Sequence, residues 1–413
     1  MHGEAHDAGN NLELARKWKS AGRLADAAGL LEQTLADSPD GFRVETLREL
    51  ADIHAKRGAW GDAEKRIDEA LSVPGISTQW RARLLERRAW ILFRQEKFDE
   101  AERLAHEVIH DLDEASDPAT AASLHNTLAG AAWRKAECDV AASEVERAAT
   151  LYERAHEPCG SANAMTNLGV LHLTQGEWQK AAVAFAESEK IRRSNALIPG
   201  RSANLLSLGW LEAIRGNRAQ AREHLDESRR VANEADEQYD VTHADLALAY
   251  LDVLESRLDD ACRHLEPVLQ RQDLLCDGDL AQTQWLQALI QCDRGGHERA
   301  VDLALKARDT ARSRNLPECQ IDAARALGIA YERCEKFPDA EKVLTESAEL
   351  AERVRDPYRR GLALLELGRL YEGAADRRDA ARERVDEATA VFERLGARCD
   401  YDRAQALRLR MAH

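Results

Sequence analysis

The chain has 413 residues, of which 32% are charged and 5% aromatic, and valine and isoleucine are sparse beside leucine, alanine, glutamate and arginine. That composition leaves little from which to build strands and predicts an all-α protein. The formal charge of -16, from 58 basic and 74 acidic residues mixed at short range, repels phosphate backbones and excludes nucleic acid as the main partner.

The N-terminal stretch MHGEAHDAGNN has neither the basic nor the apolar region of a signal peptide, and no run reaches the roughly 18 apolar residues of a membrane span. The cysteines, at 138, 159, 262, 276, 292, 319, 334 and 399, form no CxxC pair and mostly fall in segments that read as helix. They are expected to be small apolar packers with reduced thiols. A cytoplasmic location, without membrane association, is the resulting expectation.

From its first residues onward the chain repeats itself at a period of about 40 residues. Gly22 with Ala27, then Gly58 with Ala63, mark the turn and second helix of units starting near residues 8 and 44. The unit starting near 82 carries His106, Glu107 and His110 in the order His-Glu-x-x-His, a zinc signature of metallopeptidases. Around it Ala101, Ala105, Val108, Ile109 and Leu112 make the apolar stripe of one helix, which places the two histidines on the opposite, solvent face. A catalytic zinc needs a third protein ligand in a walled cavity, and the longer form of the motif needs a glycine and a histidine where this chain has Asp113 and Ser116. A zinc peptidase is therefore only a remote alternative, and neither a metal nor a cofactor is expected.

Leu128 with Ala141 marks the unit starting near 122. The clearest copies follow: TNLGVLHLTQGEWQKAAVAFAESEKI from Thr166 aligns with LSLGWLEAIRGNRAQAREHLDESRRV from Leu206, in units starting near 162 and 202. Leu248 with Ala261 marks the unit near 242, whose second helix should be kinked or shortened by Pro267. Gly295 marks the unit near 281, and Leu327, Gly328, Tyr331, Ala340, Leu344 and Ser347 the unit near 321. Leu367, Gly368, Tyr371 and Ala388 mark the last, near 361, before a terminal capping helix over 398–413. Pro39, Pro74, Pro118, Pro158, Pro199, Pro317 and Pro357 each fall at a boundary between units, as suits a residue that cannot continue a helix.

Each unit reads as two amphipathic helices joined by a tight turn, with glycine at 22, 58, 176, 216 and 295 taking the left-handed conformation that ends a helix. The order Leu-Gly-x-x-Tyr, Gly, Ala, a large apolar residue, then Ala or Ser resembles the tetratricopeptide repeat, in the longer form found in kinesin light chains and bacterial regulators. The resemblance covers nearly the whole chain and implies a single right-handed superhelical solenoid of about ten repeats.

In that family the first helix of each pair lines a concave groove that holds a peptide or partner segment. Carried onto this chain, the groove would present Arg83, Arg87, Trp90 and Arg94, then Asn126, Trp133 and Arg134, then Asn163 and Asn167, then Trp210 and Tyr250. Asparagine offers a peptide backbone both a donor and an acceptor, tryptophan and tyrosine give contact area, and arginine can fork onto a carboxylate. The two lysines, two asparagines and arginine of the chaperone-tail clamp are not present as a set. No phosphate loop, nucleophile elbow or dinucleotide fingerprint occurs, so no catalytic residue is expected. The leading expectation is a scaffold or adaptor for a protein or peptide partner. The alternative is a regulatory sensor, suggested by AVFERLGARCDYDRAQALRLR, which is similar to the end of repeat domains in bacterial signalling proteins; its output would require a separate effector.

Overall fold

In a computed structural model the described residues, 2–37, 40–272, 275–372 and 375–411, form twenty-one α-helices and no strand. Twenty of the helices are hairpin pairs in chain order: α1 (His2–Ser20) with α2 (Leu24–Asp37), α3 (Asp40–Lys56) with α4 (Trp60–Leu71), α5 (Thr78–Arg94) with α6 (Phe98–Asp111), and α7 (Pro118–Arg134) with α8 (Cys138–Ala155). Next come α9 (Pro158–Thr174) with α10 (Trp178–Ser194), α11 (Arg201–Arg215) with α12 (Arg218–Glu234), and α13 (Gln238–Leu254) with α14 (Leu258–Leu269). The last three are α15 (Asp277–Asp293) with α16 (His297–Ser313), α17 (Pro317–Arg333) with α18 (Phe337–Arg353), and α19 (Pro357–Glu372) with α20 (Arg378–Leu395), closed by α21 (Arg398–Met411).

Local chemistry sets these boundaries. Pro118, Pro158, Pro317 and Pro357 occupy the first turn of α7, α9, α17 and α19, where a missing amide hydrogen costs nothing. Pro39 lies outside the described residues. Pro267 sits inside α14, which ends two residues later and has 12 residues where α10, α12, α16 and α18 have 17. In the first nine pairs the turns close alike: the amide just past the turn donates to a carbonyl five residues earlier, as in Glu177 to His172 at 2.8 Å and Lys336 to Tyr331 at 2.9 Å. The closure needs a left-handed residue, supplied by glycine at 22, 58, 176, 216 and 295 and by Glu96, Ala136, Ser256 and Glu335 in other pairs.

Two contacts recur within several of the pairs. At Gly328 the helices lie so close that a Cβ would come within 2.4 Å of Leu344 Cγ. The hydroxyls of Ser188, Ser228 and Ser347, buried in the second helix, donate to the carbonyls of Ala162, Ser202 and Ile321 in the first, at 2.9, 2.8 and 2.9 Å. First helices of consecutive pairs touch one another along the whole chain, which puts them on the inside of the curve.

The curve closes on itself. Pair two meets pair seven, where Lys56 bonds Glu237 at 3.2 Å and Trp60 packs on Tyr239 at 6.1 Å between ring centroids. Pair three meets pair eight, where Gly278 N–H donates to Glu96 at 2.8 Å, and pair five meets pair ten through Trp178 and Tyr358 at 5.6 Å. Pair six meets the cap, where Cys399 Sγ approaches Gly216 O at 3.9 Å. One superhelical turn thus takes five pairs, and the second turn sits on the first along a continuous seam. A cluster spanning the seam joins Trp178, Phe185 and Leu211 of the first turn to Tyr358, Leu362, Phe392, Leu395 and Leu407 of the second.

Candidate functional site

The inner wall is built from the first helices, and the sequence reading placed its candidate residues there. Asn126 of α7 and Asn167 of α9 meet directly, Asn167 Nδ2 donating to Asn126 Oδ1 at 2.9 Å. This bond uses one of the acceptor lone pairs of Asn126 and one of the donors of Asn167. The remaining capacity of both amides is half-buried on the inner face. Two helical turns further on, the same two helices are bridged again, Trp133 Nε1 donating to Thr174 Oγ1 at 3.1 Å.

The arginines are all engaged. Arg83 bonds Asp117, the residue that caps α7, at 2.8 Å. Arg87 pairs with Asp52 at 3.1 Å and lies 4.9 Å from the Trp90 ring. Arg94 lies 5.2 Å from the Trp90 ring, sits over Tyr239 at 3.7 Å and reaches Asp240 at 3.6 Å. Arg134 pairs with Glu96 at 2.9 Å and so belongs to the seam. Burial opposes the charge of Arg87 and of Arg134, but Glu86 with Asp52 and Glu96, respectively, outweigh it and hold both firmly protonated.

Other candidates are structural in this arrangement. Asn163 accepts from Arg192 at 2.8 Å; Arg192, 1% exposed, also donates to Pro199 O and pins the loop before α11. Trp210 is half-buried and stacks on Tyr250 at 4.9 Å, and Tyr250 packs edge-on against Trp285 at 5.6 Å. With Tyr250 only 3% exposed and Trp285 2%, this ladder is wall material with little face left for a ligand.

The wall also holds charges that the sequence reading did not single out. Lys19 bridges Glu49 and Asp52 at 2.5 and 2.9 Å. Burial favours the neutral form of Asp52, yet Lys19, Arg87 and Lys56 hold its carboxyl well below the usual range. His243 contacts Asp279 at 2.9 Å; burial works against its charge, but Asp279 and then Asp240 raise its pKa. The available signal was a charge inside an otherwise apolar stripe, such as Asp52 in ELADIHAK, which is visible only once the stripe's direction is known.

His106, Glu107 and His110 lie on the outer helix α6, opposite the buried Phe98, Ala101, Ala105 and Val108. The His110 side chain is 86% exposed and contacts Asp111 at 2.8 Å. Among the described residues no three His, Cys, Asp or Glu side chains are grouped to hold a metal, and no helix is long and apolar enough to cross a membrane.

This architecture, paired helices with left-handed turns and a first-helix inner wall, is the tetratricopeptide repeat solenoid. Residues 323–358, one unit of the chain, match the tetratricopeptide repeat family model. Among solved structures it is similar to the Rap protein complexed with Competence and Sporulation Factor, with a TM-score of 0.61 and 11% identity over 85% of this chain and 99% of that one. It is also similar to NprR in complex with its cognate peptide NprX, with a TM-score of 0.53 and 12% identity over 81% of this chain and all of that one. Both likenesses are of fold. No curated protein sequence matches the chain.

Proposed function

We propose that the chain is a single, cytoplasmic, non-catalytic repeat domain whose inner wall binds a peptide segment of a partner. The observation that carries the reading is the Asn126–Asn167 pair with the Trp133–Thr174 bridge on the same two helices. Half-buried amides in register on neighbouring first helices are what an extended backbone needs, since each peptide unit presents one donor and one acceptor. Trp90, with Arg87 and Arg94 within 4.9 and 5.2 Å of its ring, adds an aromatic surface on the adjacent first helix, α5. NprR, which shares the fold, is complexed with a peptide, and this supports the same class of ligand here.

The test is to select peptides on the folded protein from a displayed library, then measure their affinity by calorimetry for wild type and for Asn126→Ala, Asn167→Ala and Trp90→Ala. Losing one charge-free hydrogen-bonding side chain should weaken binding about fivefold to tenfold per asparagine. Peptides that bind all variants alike would place the interface outside the inner wall.

The seam favours a second reading, a sensor that signals to a separate effector. A ligand inside a two-turn superhelix touches both turns and can change their spacing. Small-angle scattering with and without a selected peptide distinguishes the two: a changed envelope supports the sensor, an unchanged one the passive scaffold.

A further inference from the structure

The seam leaves two rims of the superhelix uncovered. It joins the turn ends of hairpins in the first turn to the loops that lead into first helices of the second, as at Glu96 against Gly278 and Cys138 against Val354. The turn ends of the second turn and the loop ends of the first are the rims that remain. A single apolar side chain on such a rim is ordinary, but one on the second turn repeats a docking element that the seam already uses.

That element is Glu96-Lys97-Phe98, between α5 and α6. Glu96 takes the left-handed position at φ +60°, and Lys97 N–H closes the turn on Leu92 O at 3.0 Å. The Glu96 carboxylate accepts from the N–H of Gly278, the second residue of α15, at 2.8 Å. Phe98, 6% exposed, is buried against Ala281, Ala311 and Leu316 of the second turn. Trp60 and Trp178 open α4 and α10 at the same register and pack across the seam on Tyr239 and Tyr358. Glu335-Lys336-Phe337, between α17 and α18, repeats the element in sequence and in conformation: Glu335 has φ +59°, and Lys336 N–H donates to Tyr331 O at 2.9 Å. On this rim Glu335 is exposed and Phe337 is 51% exposed.

The seam also shows what the element docks on. Only glycine fits beneath the glutamate, because a Cβ at Gly278 would collide with the Glu96 carboxylate. Asp-Gly occurs twice in the sequence, as Asp277-Gly278 and Asp40-Gly41, and each time it forms the first two residues of a first helix, α15 and α3. The start of α3 belongs to the free loop rim of the first turn. The next loop of that rim carries half-buried Val73 and Ile76, as the loop after α16 carries Leu316. Both halves of a second seam contact are thus present, on opposite rims where one copy cannot bring them together.

We propose that a second copy of this chain docks there, the start of its α3 covering Glu335 and its Val73 and Ile76 closing over Phe337. The two surfaces differ, so the contact is heterologous and stacks copies head to tail in an open row. One aromatic anchor and a backbone hydrogen bond make a small interface, so rows form as concentration rises.

The test is sedimentation equilibrium of the full chain over a range of concentrations. The weight-average mass of wild type should grow with concentration. Phe337→Glu, at an exposed position, should weaken self-association by more than about thirtyfold, and Glu335→Lys should weaken it less. Gly41→Trp should remove the contact from the other side. A head-to-tail contact makes one further demand: Phe337→Glu and Gly41→Trp, each monomeric alone, should form a one-to-one dimer when mixed, since each supplies the surface the other lacks. Circular dichroism of the same samples checks that each variant is folded, and Ile76→Glu replaces Gly41→Trp if the latter loses helical signal. A wild type that stays monomeric at every concentration would overturn the proposal and leave the rim to a partner of different sequence. Assembly of either variant like wild type, or a mixture that stays monomeric, would overturn it as well.

Discussion

Gly328 shows how a single position can carry a fold. A methyl group there would sit 2.4 Å from Leu344 Cγ, in a contact where both residues are buried. Overpacking of this kind costs about 1–3 kcal/mol, against the roughly 1 kcal/mol that alanine gains over glycine in a helix. Gly328→Ala should therefore lower the thermal midpoint. Gly29, exposed in α2 with nothing within 4 Å of its missing Cβ, is the opposite case, and Gly29→Ala should stabilise by about 0.5–1 kcal/mol. Calorimetric melting of the two variants checks both signs. His243 gives a pH-dependent prediction at the same scale. Its folded pKa is raised by Asp279 and Asp240 against burial and against nearby Arg94, so the stability it contributes is complete below the unfolded value of about 6.5. That contribution is lost as pH rises through the higher folded value. The midpoint difference between wild type and His243→Asn should shrink from about pH 6 to pH 8. A difference that grows with pH would reverse the assignment.

At the scale of elements, the serine pegs explain part of the repeat pattern. Ser188, Ser228 and Ser347 stand at one register of α10, α12 and α18 and bond the first helix of their own pair with the same 26-residue reach. The hydroxyl needs that carbonyl because it is buried; the carbonyl also serves its own helix. Ser347→Ala should then cost about 1 kcal/mol, the net value of one such bond, readable as a shift in denaturant midpoint without a change in slope. Much of this was legible in the sequence. Helix type, pairing and turns follow from the stripe period, from glycine at 22, 58, 176, 216 and 295, and from boundary prolines, all of which act within a single unit. The wall chemistry was only partly legible. Asn126 and Asn167 could be placed on neighbouring first helices by counting the period, and they do meet. The engagement of Asn163 by Arg192, and the burial of Tyr250 between Trp210 and Trp285, depend on contacts that no repeat period encodes.

At the scale of the whole molecule, the seam between turns was invisible to sequence reading because its partners lie roughly five units apart and share no pattern with each other. Its physical consequence is that the superhelix has two kinds of interface with different tolerances. Contacts within and between adjacent pairs run continuously along whole helices, while the seam is carried by turns, by ion pairs such as Lys56–Glu237 and Arg355–Asp139, and by apolar clusters such as the one around Trp178 and Tyr358. The seam should therefore open without unfolding the helices. Gly176 and Gly58 allow this to be tested. Both occupy the left-handed turn position, with φ of +78° and +77°, so a bulky residue strains the backbone of each about equally. At Gly176 a Cβ would lie 2.7 Å from both Leu395 and Pro357 across the seam, whereas at Gly58 nothing lies within 4 Å. Gly176→Trp should raise the radius of gyration in small-angle scattering while circular dichroism keeps its helical signal, and Gly58→Trp should leave the radius unchanged. If both variants expand alike, turn strain is what loosens the solenoid. If neither does, the second turn is held by its adjacent pairs alone, and a ligand in the lumen would have no seam through which to change the spacing of the turns.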